Sequence, residues 1–468
     1  MARWHIDAGR TTFGQFMGSD RRSGSKTRNL AHLAALVRWT AWSIVCIAIL
    51  VRVDGAAAQV VNIADPNLAQ AIREAVDTPT GDLTEADLQR LVVLVAQRRD
   101  ITSLDGFTTA TNLVFLDLSY NALSTVVLTP GFPSLGDVEL RGNEITNLTA
   151  TGLLPSLVHL GLSENFITEV AFLGQMPQLA YLELDYNEVS VFNPDRDLGQ
   201  LVWLNLAFNH IQNLDFLTRL PGLTGLFLDD NGLTNLTFPV ALTNLTWLTL
   251  DVNRISDLAF LTSLPKLMIL ELASNFAGRY AFPEGLATLQ HINLGENRLT
   301  NVVFAPDLTN LTTLYLDDNR FTELPNLLPL YSLQTLDLGV NQLARILIPY
   351  SLTNLTLLDV GFNPLEQLIL PEVLATNRLA SLVNDLTNRG VTVLTYPIPP
   401  RLTGIARTPN GRFEFVLQGM PGTYDVLRST DAASWNLDGR VTNLTGTIGS
   451  STAASTQAGG VYYRAVLQ

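Results

Sequence analysis

Leucine returns along this chain at a fixed step. The pattern L-x-x-L-x-L-x-x-N-x-L begins at Leu91 and recurs with its first leucine at Leu113, Leu135, Leu157, Leu179, Leu201, Leu223, Leu245, Leu267, Leu289, Leu311, Leu333 and Leu355. Every interval is 22 residues, across thirteen units. Within a unit the apolar fourth and sixth places, such as Leu116 and Leu118, alternate with outward residues, which is the period of a short β-strand. One such strand cannot bury its apolar face alone, but parallel stacking buries a continuous spine of leucines. At about 1.5–3 kcal/mol per buried leucine, several per unit offset the ordering entropy that a lone unit could not. The expected fold class is therefore an α/β repeat solenoid with a concave parallel sheet of about 13–14 strands.

The ninth place holds Asn121, Asn143, Asn165, Asn187, Asn209, Asn231, Asn253, Asn275, Asn297, Asn319, Asn341 and Asn363. An amide carries both donors and an acceptor, so it can satisfy backbone groups where the chain turns inward after each strand. These asparagines are expected to form a structural ladder from turn to turn. In the first unit Arg99 takes the place instead.

A solenoid needs closed ends. Before the first unit, Asp65-Pro66 reads as an N-cap with proline at the first helical position, followed by Leu68, Ile72 and Ala75 on one face. Thr84 with Asp87 reads as a second helix start. After the last unit, Leu379, Leu382, Val383 and Leu386 fall at helical spacing, Gly390 stops the helix, and Val391 and Val393 alternate as a strand.

On these motifs the chain resembles the bacterial leucine-rich-repeat proteins of the internalin-like type, from about Val60 to Tyr396. The stretch Val60 to Gly106, ending Ile101-Thr102-Ser103-Leu104-Asp105-Gly106, is similar to their entry segment. The resemblance implies a leucine-rich-repeat horseshoe or arc. It is specific for fold and weakly specific for ligand.

Beyond Pro397, Pro399 and Pro400, short alternating runs at Leu402–Arg407, Arg412–Leu417, Thr423–Arg428 and Val461–Val466 suggest a small all-β sandwich, with Trp435 in its core. Tyr424–Asp431, Trp435 and Tyr462-Tyr463-Arg464 resemble the fibronectin- or immunoglobulin-like tails of secreted bacterial proteins. The domain reading is 1–58 signal peptide, 59–90 N-terminal cap, 91–376 repeats, 377–397 closing cap and linker, and 398–468 sandwich.

Composition narrows the function. A hydrophobic share of 47% with 15% charged residues argues against disorder. The formal charge is −14, and the first 58 residues hold eight basic and three acidic side chains, so the remainder is more acidic still. Such a surface repels phosphate backbones and anionic lipid, leaving cationic peptides, metal ions or neutral glycans. Arg21, Arg22, Lys26, Arg28 and Arg38 precede an apolar run from Trp39 to Val51, and Ala56-Ala57-Ala58 follow. That is the layout of a secretory signal peptide, with an uncleaved anchor as the alternative and Met17 as a candidate start. Cys46, the only cysteine, lies inside this run, so the exported chain would carry no disulfide.

The third place of each unit faces outward on the sheet and reads Phe115, Asp137, His159, Tyr181, Trp203, Gly225, Trp247, Ile269 and His291, and the fifth adds Phe227 and Tyr315. Glu183, Asp185, Asp229, Asp230, Asp251, Glu271, Asp317 and Asp318 surround them. Aromatics inside an acidic rim suit a partner with apolar side chains and basic groups, a protein or peptide. A glycan-binding adhesin using the same rings and a purely architectural surface protein remain alternatives. Binding candidates are Phe115, His159, Tyr181, Trp203, Phe227, Trp247, Tyr315, Asp185, Asp229 and Asp251. No Ser-His-Asp set, zinc spacing or phosphate loop is visible, and no enzyme activity, resident metal or cofactor is expected. Asp229 and Asp251, on neighbouring strands about 5 Å apart, are a spacing that would suit a retaining glycosidase or a calcium ion, but repeat geometry alone produces the pair. The Asn-Leu-Thr triplets at Asn147, Asn235, Asn244, Asn310, Asn354 and Asn443 match a glycosylation pattern, yet most sit at fixed repeat positions.

Overall fold

The computed structural model describes residues 59–467, apart from 235, 408–412, 430–432, 446 and 452–461. The export signal, Cys46 and Met17 lie outside the described residues. Thirteen short strands, from Val93–Val95 and Phe115–Asp117 through to Leu357–Asp359, form one parallel sheet in chain order. Partners across each gap are 22 residues apart, as in Phe115 with Asp137 and Trp203 with Gly225. The chain is thus the α/β repeat solenoid that its leucine period implies, at thirteen strands. Leu116, Leu118, Leu182, Leu184, Leu248 and Leu250, from the fourth and sixth places, are 0% exposed.

Behind the sheet the units return either through 3-10 turns, as at Ala171–Gln175, Asp215–Arg219 and Ala259–Ser263, or through short strands such as Thr125–Leu128 and Asn147–Ala150. Phe172, Phe216, Phe238, Phe260, Phe282 and Phe304 recur at the sixteenth place and are buried there. Adjacent rings meet at 5.6 Å in Phe238–Phe260 and Phe282–Phe304, a second spine beside the leucines.

Each ladder asparagine joins two units. Asn165 Nδ2 donates to the Leu140 carbonyl of the unit before and to its own Leu162, and its Oδ1 accepts from Ile145 N. The residue just before the asparagine is left-handed throughout, including the β-branched Val252 at φ 55° and Val340 at φ 53°. The hydrogen-bonded turn overrides the cost of that backbone, since from Tyr120 to Val340 each such N–H, for example Val252 N, donates to the next unit. A partial second ladder uses the last place of the unit. Asn244, Asn310 and Asn354 each donate to a carbonyl of the preceding unit and Asn112 to Gln89 of the entry cap, so three of the glycosylation-like triplets have a structural use.

At the entry, helix α1 (Pro66–Ala75) is capped by Asp65, and helix α2 (Glu85–Arg90) starts with a reciprocal Thr84–Asp87 capping box. Ala75 is exposed rather than on the buried face of α1, where Ala69 and Ala71 accompany Leu68 and Ile72. Arg99, at the ladder place of the first unit, pairs with Glu74 of α1 at 2.7 Å. At the exit, helix α3 (Ala380–Asn388) is followed by Gly390 at φ +85° and by strand Thr392–Tyr396, which pairs with Gln367–Pro371.

The C-terminal residues form two three-stranded antiparallel sheets, Arg401–Arg407 with Phe413–Gln418 and Thr447–Ser451, and Asn436–Asn443 with Gly422–Ser429 and Tyr462–Leu467. Phe415, Leu417, Tyr424 and Val426 are their shared core. Trp435 is outside that core, half-buried under Arg464 at 4.4 Å, because the strand bringing Arg464 alongside offers its cation to the indole face. Arg345 donates to the Leu444 carbonyl at 2.7 Å, and Arg401 reaches Glu372 at 3.3 Å, so the C-terminal sheets are tied to the array at two places. Among the described residues no helix is long and apolar enough to cross a membrane.

Candidate binding face on the sheet

The outward third places lie in register, His159 beside Tyr181, Tyr181 beside Trp203, then Gly225, Trp247, Ile269 and His291. Side chains on neighbouring parallel strands stand about 4.8 Å apart, so large ones must share space. Trp203, Phe227 and Trp247 share it around Gly225. Their ring centroids are 4.3 Å apart for Trp203–Phe227, 5.6 Å for Trp203–Trp247 and 5.4 Å for Phe227–Trp247. All three side chains are half-buried, none interior, and among the described residues the buried Trp247 indole N–H has no hydrogen-bond partner. Tyr181, half-buried on the next strand, extends the band.

The acids adjoin the rings. Asp229, two residues beyond Phe227, accepts from the Thr249 hydroxyl and the Asp251 amide, both at 2.7 Å. Asp251 accepts in turn from the Ala273 amide at 2.6 Å. Burial first, then the nearby Glu271 charge, pushes the Asp229 carboxyl up to about 6 despite these hydrogen bonds. Burial and the charges of Asp229 and Glu271 push Asp251 up as well. Among the described residues no lysine or arginine forms an ion pair with either. Asp185, also raised by burial, accepts from Ser163 and from Asn205 Nδ2 and has the Arg141 charge nearby. The Asp229–Asp251 pair therefore spends an oxygen each on strand-to-strand amide bonds, as a repeat-generated acid would.

His159 stands apart from the aromatic cluster, in a nest of acids. Its Nδ1 is 2.9 Å from Asp137 and 3.8 Å from Glu139, and its Nε2 is 4.0 Å from Glu183. Burial lowers the imidazolium pKa, but these hydrogen bonds and charges outweigh it and lift it to about 10. Tyr315 belongs to a third group, meeting His291 edge-on at 5.5 Å, with His291 Nε2 2.9 Å from Glu271. Phe115 lies at the entry side, paired in register with Asp137. The sheet thus gathers Tyr181, Trp203, Phe227, Trp247, Asp185, Asp229 and Asp251, and leaves Phe115, His159 and Tyr315 at other points along the face.

Sequence reasoning names Gly225 only as an outward third place and misses Gly161 and Glu139 altogether. A Cβ on Gly225 would stand 2.7 Å from Trp203 Cε3, and one on Gly161 would stand 2.1 Å from Glu139 Oε2. The usable signal was a glycine at an outward strand place next to a large or charged one.

The arrangement defines a repeat protein that presents a continuous sheet face with an aromatic and acidic patch. The Leucine Rich Repeat family profile matches residues 310–330. Among solved structures, the chain is similar to an internalin, InlF, from Listeria monocytogenes, at 21% identity over 71% of this chain and 95% of that one, with a TM-score of 0.50. It is also similar to the functional domain of InlJ from Listeria monocytogenes, at 17% identity over 79% of this chain and 97% of that one, with a TM-score of 0.52. These likenesses show the leucine-rich-repeat fold seen in internalins. The InlJ domain includes a cysteine ladder. Nothing among curated proteins matches the chain.

Proposed function

We propose that this is an exported, non-enzymatic recognition protein that grips a protein or peptide on its sheet face, with a basic side chain of the partner seated on the Trp203–Phe227–Trp247 patch. Stacked repeats offer long surfaces of this kind in general. The observation that carries the reading is three contiguous, half-exposed aromatic rings with two half-buried carboxylates just past the ends of the Phe227 and Trp247 strands, which no arginine or lysine pairs with among the described residues. A guanidinium or ammonium over the rings gains cation–π attraction and neutralises Asp229 and Asp251 at once. Export rests on the basic, apolar and small-residue layout of residues 1–58, and the C-terminal sheets are read as a fibronectin-like spacer or docking unit.

The test is binding of arrayed Arg- and Lys-containing peptides, matched neutral peptides and a glycan array to the purified chain and to its Trp203→Ala/Trp247→Ala variant. Preference for basic peptides, weakened by salt and by the double substitution, is the expected result. Glycan binding that the same substitutions abolish would replace the partner class with a sugar. Binding of neither, or binding indifferent to the substitutions, would leave an architectural role.

A further inference from the structure

We propose that Asp137, Glu139 and His159 form a site for one divalent transition-metal ion of the zinc class, with Glu183 orienting the histidine from behind. This site is separate from the aromatic patch and does not rest on the reading given to it.

Asp137 and Glu139 occupy the third and fifth places of one strand and so project from the same face, while His159 projects from the third place of the next. One ligand atom from each of the three lies within 4.8 Å of the others. Zinc binds nitrogen and carboxylate oxygen at about 2.0–2.2 Å, which puts neighbouring donors of a tetrahedral shell about 3.3–3.6 Å apart. The His159 Nδ1 distances of 2.9 Å to Asp137 and 3.8 Å to Glu139 bracket that value, so only small side-chain movements close the shell.

Two further features fit a ligand set. Gly161, the neighbour of Glu139 in register, leaves the room that the Glu139 carboxylate fills, since any Cβ there would collide with it at 2.1 Å. On the opposite side of the ring, Glu183 Oε1 stands 4.0 Å from Nε2. A carboxylate behind a metal-bound imidazole fixes its tautomer and orientation, and it recurs at metal centres for that reason. One imidazole with two carboxylates suits zinc, cobalt, manganese or ferrous iron better than calcium or magnesium, which prefer oxygen throughout. Side-chain exposures of 15% for His159, 33% for Asp137 and 19% for Glu139 leave a side open for water or a donor from a partner.

The competing account is a half-buried histidinium whose charge balances the three acids and which takes up no metal. Zn2+ titration of the untagged full chain by calorimetry, with Co2+ absorption as a second probe, separates the two. One ion per chain is expected, with affinity reduced at least tenfold in His159→Gln and Glu139→Gln. His210→Gln should bind as the unsubstituted chain does, because among the described residues His210 meets a single carboxylate, Glu188 at 2.9 Å. Gly161→Ala is the variant that spares the ligands and needs no unusual backbone, and it should lower affinity by crowding Glu139. No uptake at stoichiometric Zn2+, or uptake that folded His159→Gln and Gly161→Ala leave unchanged, overturns the proposal.

Discussion

Trp203 lies across the bare backbone of Gly225, so close that a Cβ at Gly225 would stand 2.7 Å from Cε3 and 3.0 Å from Cζ3 of the indole. The ring uses that gap to reach Trp247 two strands away, edge to face at 5.6 Å. Gly225→Ala should therefore tilt Trp203 out of the cluster while leaving the repeat intact, since Gly225 has no left-handed backbone to lose. The expected outcome is a red-shifted tryptophan emission and a roughly tenfold weaker hold on a basic peptide, about 1.4 kcal/mol. Stability should change by less than about 1 kcal/mol. Unaltered emission and binding would mean that the gap does not shape the patch.

The asparagine ladder makes a graded prediction. Asn253 is 1% exposed, accepts from Leu233 N at 2.8 Å and donates to the Leu228 and Leu250 carbonyls. Asn253→Ala leaves Leu233 N without its acceptor and takes one donor from each carbonyl, which Asn231 and Asn275 still serve, at a cost of about 1–3 kcal/mol. Asn363, at the last unit, makes the same kinds of bond but is only half-buried, so water can replace its amide. Urea denaturation of Asn253→Ala and Asn363→Ala should show the larger loss for the interior site. Equal losses would argue against burial as the source of the cost.

What could be read from the sequence was what a single residue type repeats. The leucine spine, the asparagine turns and the Asp65 and Thr84 caps each follow from one side chain's chemistry and its spacing. The Trp203–Phe227–Trp247 band was visible as outward aromatics, but its closure was not, because that depends on what Gly225 lacks. The acid nest of His159 needed the direction in which Glu139 folds across Gly161. Strands Asn436–Asn443 and Thr447–Ser451 escaped notice because they are rich in polar residues and glycine and are held by pairing with Gly422–Ser429 and Phe413–Gln418. Trp435 looked like a core residue by type, yet pairing puts Arg464 over it at the surface.

The half-buried carboxylates of Asp229 and Asp251 set a pH dependence. The Asp229 pKa is raised from an unfolded value of 3.8 to about 6, so its protonated form is the one the fold favours. Stability from this group is fully present below 3.8 and is lost as pH rises through about 6, and Asp251 acts in the same direction. His159 adds a loss of the same sign only from its unfolded 6.5 upward to about 10. Between pH 4 and 6.5, then, the difference between the native chain and Asp229→Asn/Asp251→Asn isolates the two aspartates. The melting temperature of the native chain should fall across this window relative to the double variant, and the variant should be the more stable at pH 6.5. A parallel pair of curves would show that the carboxylates stay solvated. A basic ligand should bind more weakly at pH 5 than at pH 7, for it competes with the same protons.

Asp65 offers the sharpest test of how the array is closed. Its carboxylate accepts from Asn67 N and Leu68 N at the start of α1, and also from Thr102 N at 2.7 Å and the Thr102 hydroxyl at 2.9 Å in the first turn. One buried side chain thus caps the helix and clamps it to the solenoid. Asp65→Ala removes both, at about 2–3 kcal/mol. Because each unit of a solenoid touches only its neighbours, the damage should stay local. Hydrogen exchange should speed up in α1 and in strands Val93–Val95 and Phe115–Asp117, and remain unchanged at Trp247–Thr249 and beyond. Asp65→Asn, which keeps an acceptor for the cap and loses the charge, should fall between the two. Uniform acceleration along the whole sheet would instead make the array one cooperative block, with the cap stabilising all of it.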